Sequence, residues 1–181
     1  MERSVVEECV GSAHGDLDKV RELVERHPEI VDATAPWNET PVQAATQMGR
    51  QDIIEFLVGR GAPLDFFTAC VLGRLDLVEA ELALDPGRAV ARGVHDLPAL
   101  YFAAIGSRPE IASVLVAHGA DVNGASPAAA PLHGAVMGRS AEMVRWLLDR
   151  GADPSLPDFQ GRSARELAEA MNRPDLAALF D

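Results

Sequence analysis

The segment Gly61-Ala62-Pro63-Leu64-Asp65 returns as Gly119-Ala120-Asp121-Val122-Asn123 and again as Gly151-Ala152-Asp153-Pro154-Ser155. Self-similarity of this kind outranks every local signal, because it means one small unit is built several times and stacked. Ahead of each copy lies an amphipathic run: 52–58, 110–116 and 142–148. Ahead of those lies a second short apolar run opened by a proline, at Thr40-Pro41, Pro98-Ala99 and Ala130-Pro131. Each unit therefore reads as helix, tight turn, helix, then a glycine that ends the second helix in the left-handed conformation. The proline is expected in the first helical turn, where its missing N–H costs nothing.

On these residues the chain resembles the ankyrin repeat family, whose pattern Thr-Pro-Leu-His-x-Ala-Ala, a Gly-His turn and a helix ending Gly-Ala-Asp is matched best from Ala130 to Ser155. Thr40–Asp65 and Pro98–Asn123 match nearly as well, and divergent copies fill the remainder. The resemblance implies an all-α solenoid in one domain, 1–181, with six helix-turn-helix repeats at about 5–31, 40–65, 66–89, 98–123, 130–155 and 163–181. It also implies short β-hairpin fingers near Pro36–Glu39, Val94–Leu97, Ser126–Ala129 and Phe159–Arg162.

One spacing breaks the pattern. Gly49 and Gly73, at equivalent turns, are only 24 residues apart, so the third repeat starts directly at Asp65-Phe66-Phe67 without a finger. Gly15 and Gly73, Thr40 and Pro98, and Gly61 and Gly119 are each 58 residues apart. The first four repeats thus read as a duplicated pair, each half holding one fingerless and one fingered unit. A helix pair cannot bury both its faces alone, so the core must run on from repeat to repeat and the two ends must be polar. Glu7-Glu8 and Asp18-Lys19 at one end, and Arg165-Glu166 and Glu169 at the other, supply that.

Charge narrows the partners. With 16 basic and 28 acidic residues the formal net charge is −12, which argues against nucleic acid and against an anionic membrane surface. No stretch has the length of apolar residues that a membrane span needs, and Met1–Val5 lacks the basic head of a secretory leader. The expectation is a cytoplasmic, acidic protein. Cys9 and Cys70, its two cysteines, have no metal-type spacing and are expected as buried, reduced thiols. Asn38-Glu39-Thr40 has the form of a glycosylation site that such a chain would not use.

No catalytic or nucleotide-binding motif is present: there is no H-E-x-x-H, G-x-S-x-G, phosphate loop or G-x-G-x-x-G. No cofactor or metal is called for. His133 takes the histidine place of the family pattern and Tyr101 its equivalent, both expected to be structural. His95 beside Asp96, on a finger, is the one candidate acid–base pair. The resemblance places recognition on finger tips and on the two residues after the Ala-Ala of each first helix. Here those positions are apolar, giving a groove of Trp37, Met48, Val71, Leu72, Leu97, Ile105 and Met137 rimmed by Glu39, His95 and Asp96. Such a surface suits a protein or peptide partner. The alternative is a small apolar ligand, or an unconventional enzyme, at the missing finger, with Val71 and Leu72 as floor and His95-Asp96 alongside. On the groove reading, Leu72→Lys or Ile105→Lys blocks binding and leaves the fold intact.

Overall fold

The computed structural model describes residues 4–124, 126 and 128–181. Its helices come in six pairs: α1 (Val5–Ala13) and α2 (Leu17–Arg26), α3 (Pro41–Gln47) and α4 (Gln51–Gly59), α5 (Phe66–Leu72) and α6 (Leu75–Leu84). Then follow α7 (Ala99–Ile105) and α8 (Pro109–Ala117), α9 (Pro131–Met137) and α10 (Ala141–Leu148), α11 (Ala164–Ala170) and α12 (Pro174–Ala177). Among the described residues strand pairing is limited to the isolated bridge between Arg92 and Pro98. The all-α repeat architecture is the one expected. Residues up to Thr68 make one compact unit and Ala69–Asp181 a second.

Local chemistry explains where helices start. Ser4 with Glu7, Thr40 with Gln43, and Ser163 with Glu166 form reciprocal capping boxes, while Asp16 and Ser140 cap α2 and α10 through one side-chain oxygen each. Pro41 and Pro131 sit in the first turn as expected, but Pro98 falls one place earlier, at the N-cap of α7. There it replaces the hydroxyl that Thr40 offers α3, so α7 starts without a side-chain cap. Helices end as the glycines require: Gly61, Gly119 and Gly151 have φ of 103°, 96° and 84°. The interhelical turns at Gly49, Gly73, Ser107, Arg139 and Asn172 are left-handed too, whereas the turn at Gly15 closes with two N–H groups on the Ser12 carbonyl.

The duplication extends to the backbone. Helices α6, α7 and α8 begin and end 58 residues after α2 (17–26), α3 (41–47) and α4 (51–59). The finger between α2 and α3 closes by Ala35 N–H to Glu39 O at 2.9 Å, and that between α6 and α7 by Gly93 N–H to Leu97 O at 2.9 Å. Asn38 and Asp96 take the same left-handed place, with φ of 65° and 60°. No finger precedes α5: residues 62–65 lead straight into it, and the Asp65 carboxylate accepts the Thr68 N–H at 2.8 Å. The finger at Phe159–Arg162 is present, with Asp158 N–H on Arg162 O. That at Ser126–Ala129 lies in part outside the described residues, and its Ala128 carbonyl accepts the Phe159 N–H.

Each unit has its own apolar interior. Val10, Val20, Ile53, Ile54 and Leu57 fill the first, and Phe102, Ile111, Leu115, Leu132, Met143 and Leu147 the second. Within the second unit α7 packs on α9 and α9 on α11, a row of first helices beside the row of second helices. Small residues permit the approach. Ala103, Ala104 and Ala135 are fully buried, and a Cβ on Gly106 or Gly138 would lie 2.4 Å from a main-chain oxygen of the preceding first helix. Cys9 and Cys70 are both buried and form no disulfide, and burial pushes the Cys9 thiol up to about 11, where it is a poor nucleophile.

Candidate recognition surface

The first finger presents Trp37 with half its surface in solvent. Its indole N–H donates to Glu39 Oε2 at 2.8 Å, and Glu39 is 2% exposed. The other carboxylate oxygen accepts from Gln47 Nε2 at 2.7 Å, and the same amide lies 2.8 Å from His14 Nε2. His14 Nδ1 is 3.1 Å from the Val10 carbonyl, which can only accept. Nδ1 therefore carries the hydrogen, leaving Nε2 to accept from Gln47. A buried carboxylate is tolerable because donors converge on it. The result is a ring fixed by its polar edge, with Met48, just past α3, also exposed.

In the duplicated half the same positions are chemically different. Glu39 is matched by Leu97 and Gln47 by Ile105, 58 residues on, so an apolar pair replaces the polar one. Leu97 is 4% exposed and Ile105 3%. Val71 is completely buried. The expectation that these three side chains and Glu39 face an open groove is therefore corrected. A residue at the end of a first helix is covered when the next first helix closes on it, as Gly138 does on the Ile105 main chain. Leu72 and Met137 are half-buried, and Met137 Sδ accepts from the Tyr101 hydroxyl at 3.4 Å. Tyr101 is itself buried, which raises its phenol far above the usual range.

His95 and Asp96 are both exposed at the second finger tip, with His95 at φ 55°. The Asp96 carboxylate pairs with Arg92 Nη1 at 3.2 Å, and the same nitrogen holds the Asp96 carbonyl at 2.9 Å. Asp96 is thus engaged as the staple of its own finger, and fully buried Val71 gives no floor to an open ligand site. A cleft of about 220 Å³ lies elsewhere, walled by Val90, Arg92, Pro98, Leu100, Ala120 and Asp121. Sequence reading had no signal for it, since it is made by two loops distant in the chain. Among the described residues no three His, Cys, Asp or Glu side chains gather to hold a metal ion. No helix among them is long and apolar enough to cross a membrane.

His133 behaves as a structural residue. Its Nδ1 accepts the Ala130 N–H at 3.2 Å and its Nε2 donates to the Arg162 carbonyl at 3.0 Å, tying α9 to the following finger. Burial holds its pKa below the usual histidine value of 6.5. The unfolded chain then binds the proton more readily than the folded one, so stability falls as pH drops through 6.5 and below. Urea midpoints between pH 7.5 and 5.5 should decline in the wild type and decline less in His133→Gln.

A family model for ankyrin repeats (3 copies) matches residues 66–158, about half of the chain. Two curated proteins are similar over part of the chain. The potassium channel AKT1 of Arabidopsis thaliana is 40% identical over 67 residues, which are 36% of this chain and 8% of the channel. The BCL-6 corepressor-like protein 1 of Homo sapiens is 34% identical over 103 residues, 56% of this chain and 6% of that protein. The chain thus spans less than a tenth of either relative. With the family model over these helix pairs, their left-handed glycine stops and their hydrogen-bonded fingers, the chain belongs to the ankyrin repeat family, whose repeats are generally protein–protein interaction modules.

Proposed function

We propose that this protein is a non-enzymatic binding module that takes a protein or peptide partner on the side bearing its finger tips and first-helix ends. The observation that supports this is Trp37: a large ring half in solvent, its N–H already bound by buried Glu39 and that carboxylate by Gln47. An aromatic anchor held in place before binding loses little entropy on contact, and such residues dominate interface energies. In this reading Trp37 and Met48 touch the partner and Glu39 and Gln47 position the ring, while in the second unit, taken by itself, Leu72, His95 and Met137 are the corresponding contact residues. Leu97, Ile105 and Val71 support these from beneath. The net charge of −12 disfavours nucleic acid as the partner.

The test is photocrosslinking in the native host. Benzoylphenylalanine in place of Trp37 is expected to give an adduct heavier by one protein. The same group in place of exposed Asp18 on α2 is expected to give none. A silent position 37, with the protein folded and expressed, would refute the reading.

A further inference from the structure

Helix α6 breaks the rule that a surface helix is apolar on one side only. Val78 and Leu82 point inward and are buried. Leu77, Ala80 and Leu84 lie at i, i+3 and i+7, so they share a second face, and all three are exposed. Leu77 is 41% exposed and Leu84 88%. Seven residues of helix separate these two leucines by roughly 10 Å along the axis. The 3₁₀ segment Pro86–Val90 packs on α6, and its Val90, 58% exposed, is a further apolar side chain in solvent at the edge of the cleft described above.

The duplication supplies an internal control. Helix α2 stands 58 residues earlier, has the same length and holds the same place in its repeat. At the positions of Leu77, Ala80 and Leu84 it carries Lys19, Glu22 and Arg26. Those side chains pair with each other, Lys19 Nζ to Glu22 at 3.3 Å and Arg26 Nη1 to Glu22 at 2.9 Å. Asp32 stands where the later half has Val90. Conversely, α2 buries Leu23 where α6 has half-buried Glu81, held by two nitrogens of Arg88 at 3.1 and 2.8 Å. The assignment of charged and apolar residues is therefore partly inverted between two copies of one helix. The fold works with a charged outer face, so it does not require an apolar one.

We propose that the outer face of α6 is a second docking surface, for an amphipathic helical segment of a partner whose apolar anchors are flanked by Lys and Arg. Charge selects that occupant. Asp76 and Glu79 on the helix and Asp85 just beyond it are exposed around the stripe, with Arg74 at the N-cap and Arg88 engaged by Glu81. A second copy of this chain would bring the same acidic surround and a net charge of −12 against −12. A basic-flanked helix with anchors at i, i+3 and i+7 satisfies both the stripe and its collar. This surface is independent of Trp37 and of the finger tips.

The probe is a synthetic amphipathic helix with Leu at i, i+3 and i+7 and Lys on its flanks, alongside the same peptide with Glu for Lys. With the full-length chain, the Lys peptide is expected to bind and to shift amide resonances of residues 75–90. The Glu peptide should bind at least tenfold more weakly. The L77K/L84R variant, which installs the residues α2 already carries, should keep its helical signal and melting temperature while losing at least tenfold in affinity for the Lys peptide. Because Leu84 lies almost wholly in solvent, L84R alone serves if the double variant does not fold. Binding unchanged by these substitutions, or shifts confined to the finger tips, overturns the proposal. So does a wild-type dimer that L84R dissociates, which would make a second copy the occupant. Trp37→Ala should leave Lys-peptide affinity unchanged; a matching loss there would place the peptide on the finger surface instead.

Discussion

Ile105→Lys is expected to unfold the second unit under conditions where the wild type is native. Ile105 ends α7 with 3% of its surface exposed, and Gly138 of α9 closes on its main chain. The substitution removes a buried aliphatic group, worth about 2–5 kcal/mol on truncation, and asks a buried position to accept an ammonium. The sum rivals the roughly 5–15 kcal/mol that holds a domain folded. In a stacked array the loss spreads to adjoining repeats, because each interface is shared. Urea melts followed by far-UV circular dichroism would read it, with Leu72→Lys, at a half-buried position, as the milder comparison. A wild-type midpoint for Ile105→Lys would return that side chain to the groove. The first half offers a further check, since it uses Glu39 and Gln47 at these places. L97E/I105Q, which reinstates that pair, should be more stable than L97E alone, a coupling that only neighbours show.

Gly106→Ala is expected to lower stability by about 3 kcal/mol, from a single added methyl group. The new Cβ would stand 2.4 Å from the Val71 carbonyl oxygen and 2.8 Å from the Val71 Cα. Those are main-chain atoms, with no rotamer to move them aside. The same carbonyl accepts the Arg108 Nε–H at 3.0 Å, a hydrogen bond that any retreat of α5 from α7 would stretch. Conformation does not decide the matter: Gly106 has φ of −73°, which alanine adopts readily. Intrinsic propensity favours alanine by up to about 1 kcal/mol in a helical position, and the steric term outweighs it. Gly138→Ala should act alike, with the Ile105 oxygen 2.4 Å away. Gly59→Ala provides the opposite sign. Nothing lies within 4 Å of its Cβ position at the end of α4, so it should stabilise by about 0.5–1 kcal/mol. A thermal melt separates the two classes, with Gly106→Ala falling by about 6–12 °C.

How much of this was legible in the chain depended on the range of the interactions involved. The repeat count, the missing finger before α5 and the duplicated pair all follow from spacing. Helix caps, proline starts and left-handed glycine stops are set by residues a few positions apart, so the sequence states them directly. Even the one local miss, Pro98 at the N-cap, was an error of a single residue. The sequence also carried the apolar α6 stripe and its charged counterpart in α2, though only measured exposure gives the comparison its meaning.

Burial at the ends of first helices belonged to tertiary structure alone. Trp37 and Met48 reach solvent while Val71, Leu97 and Ile105 do not, although all were read from the same pattern. Nothing within one repeat distinguishes them, because the covering atoms come from the next repeat or from the finger above. Glu39 makes the same point in polar form. From sequence it is a charged residue on a loop, where water is the ordinary surrounding. Its burial becomes affordable only when Gln47, eight residues away, and the Trp37 indole turn their N–H groups onto it.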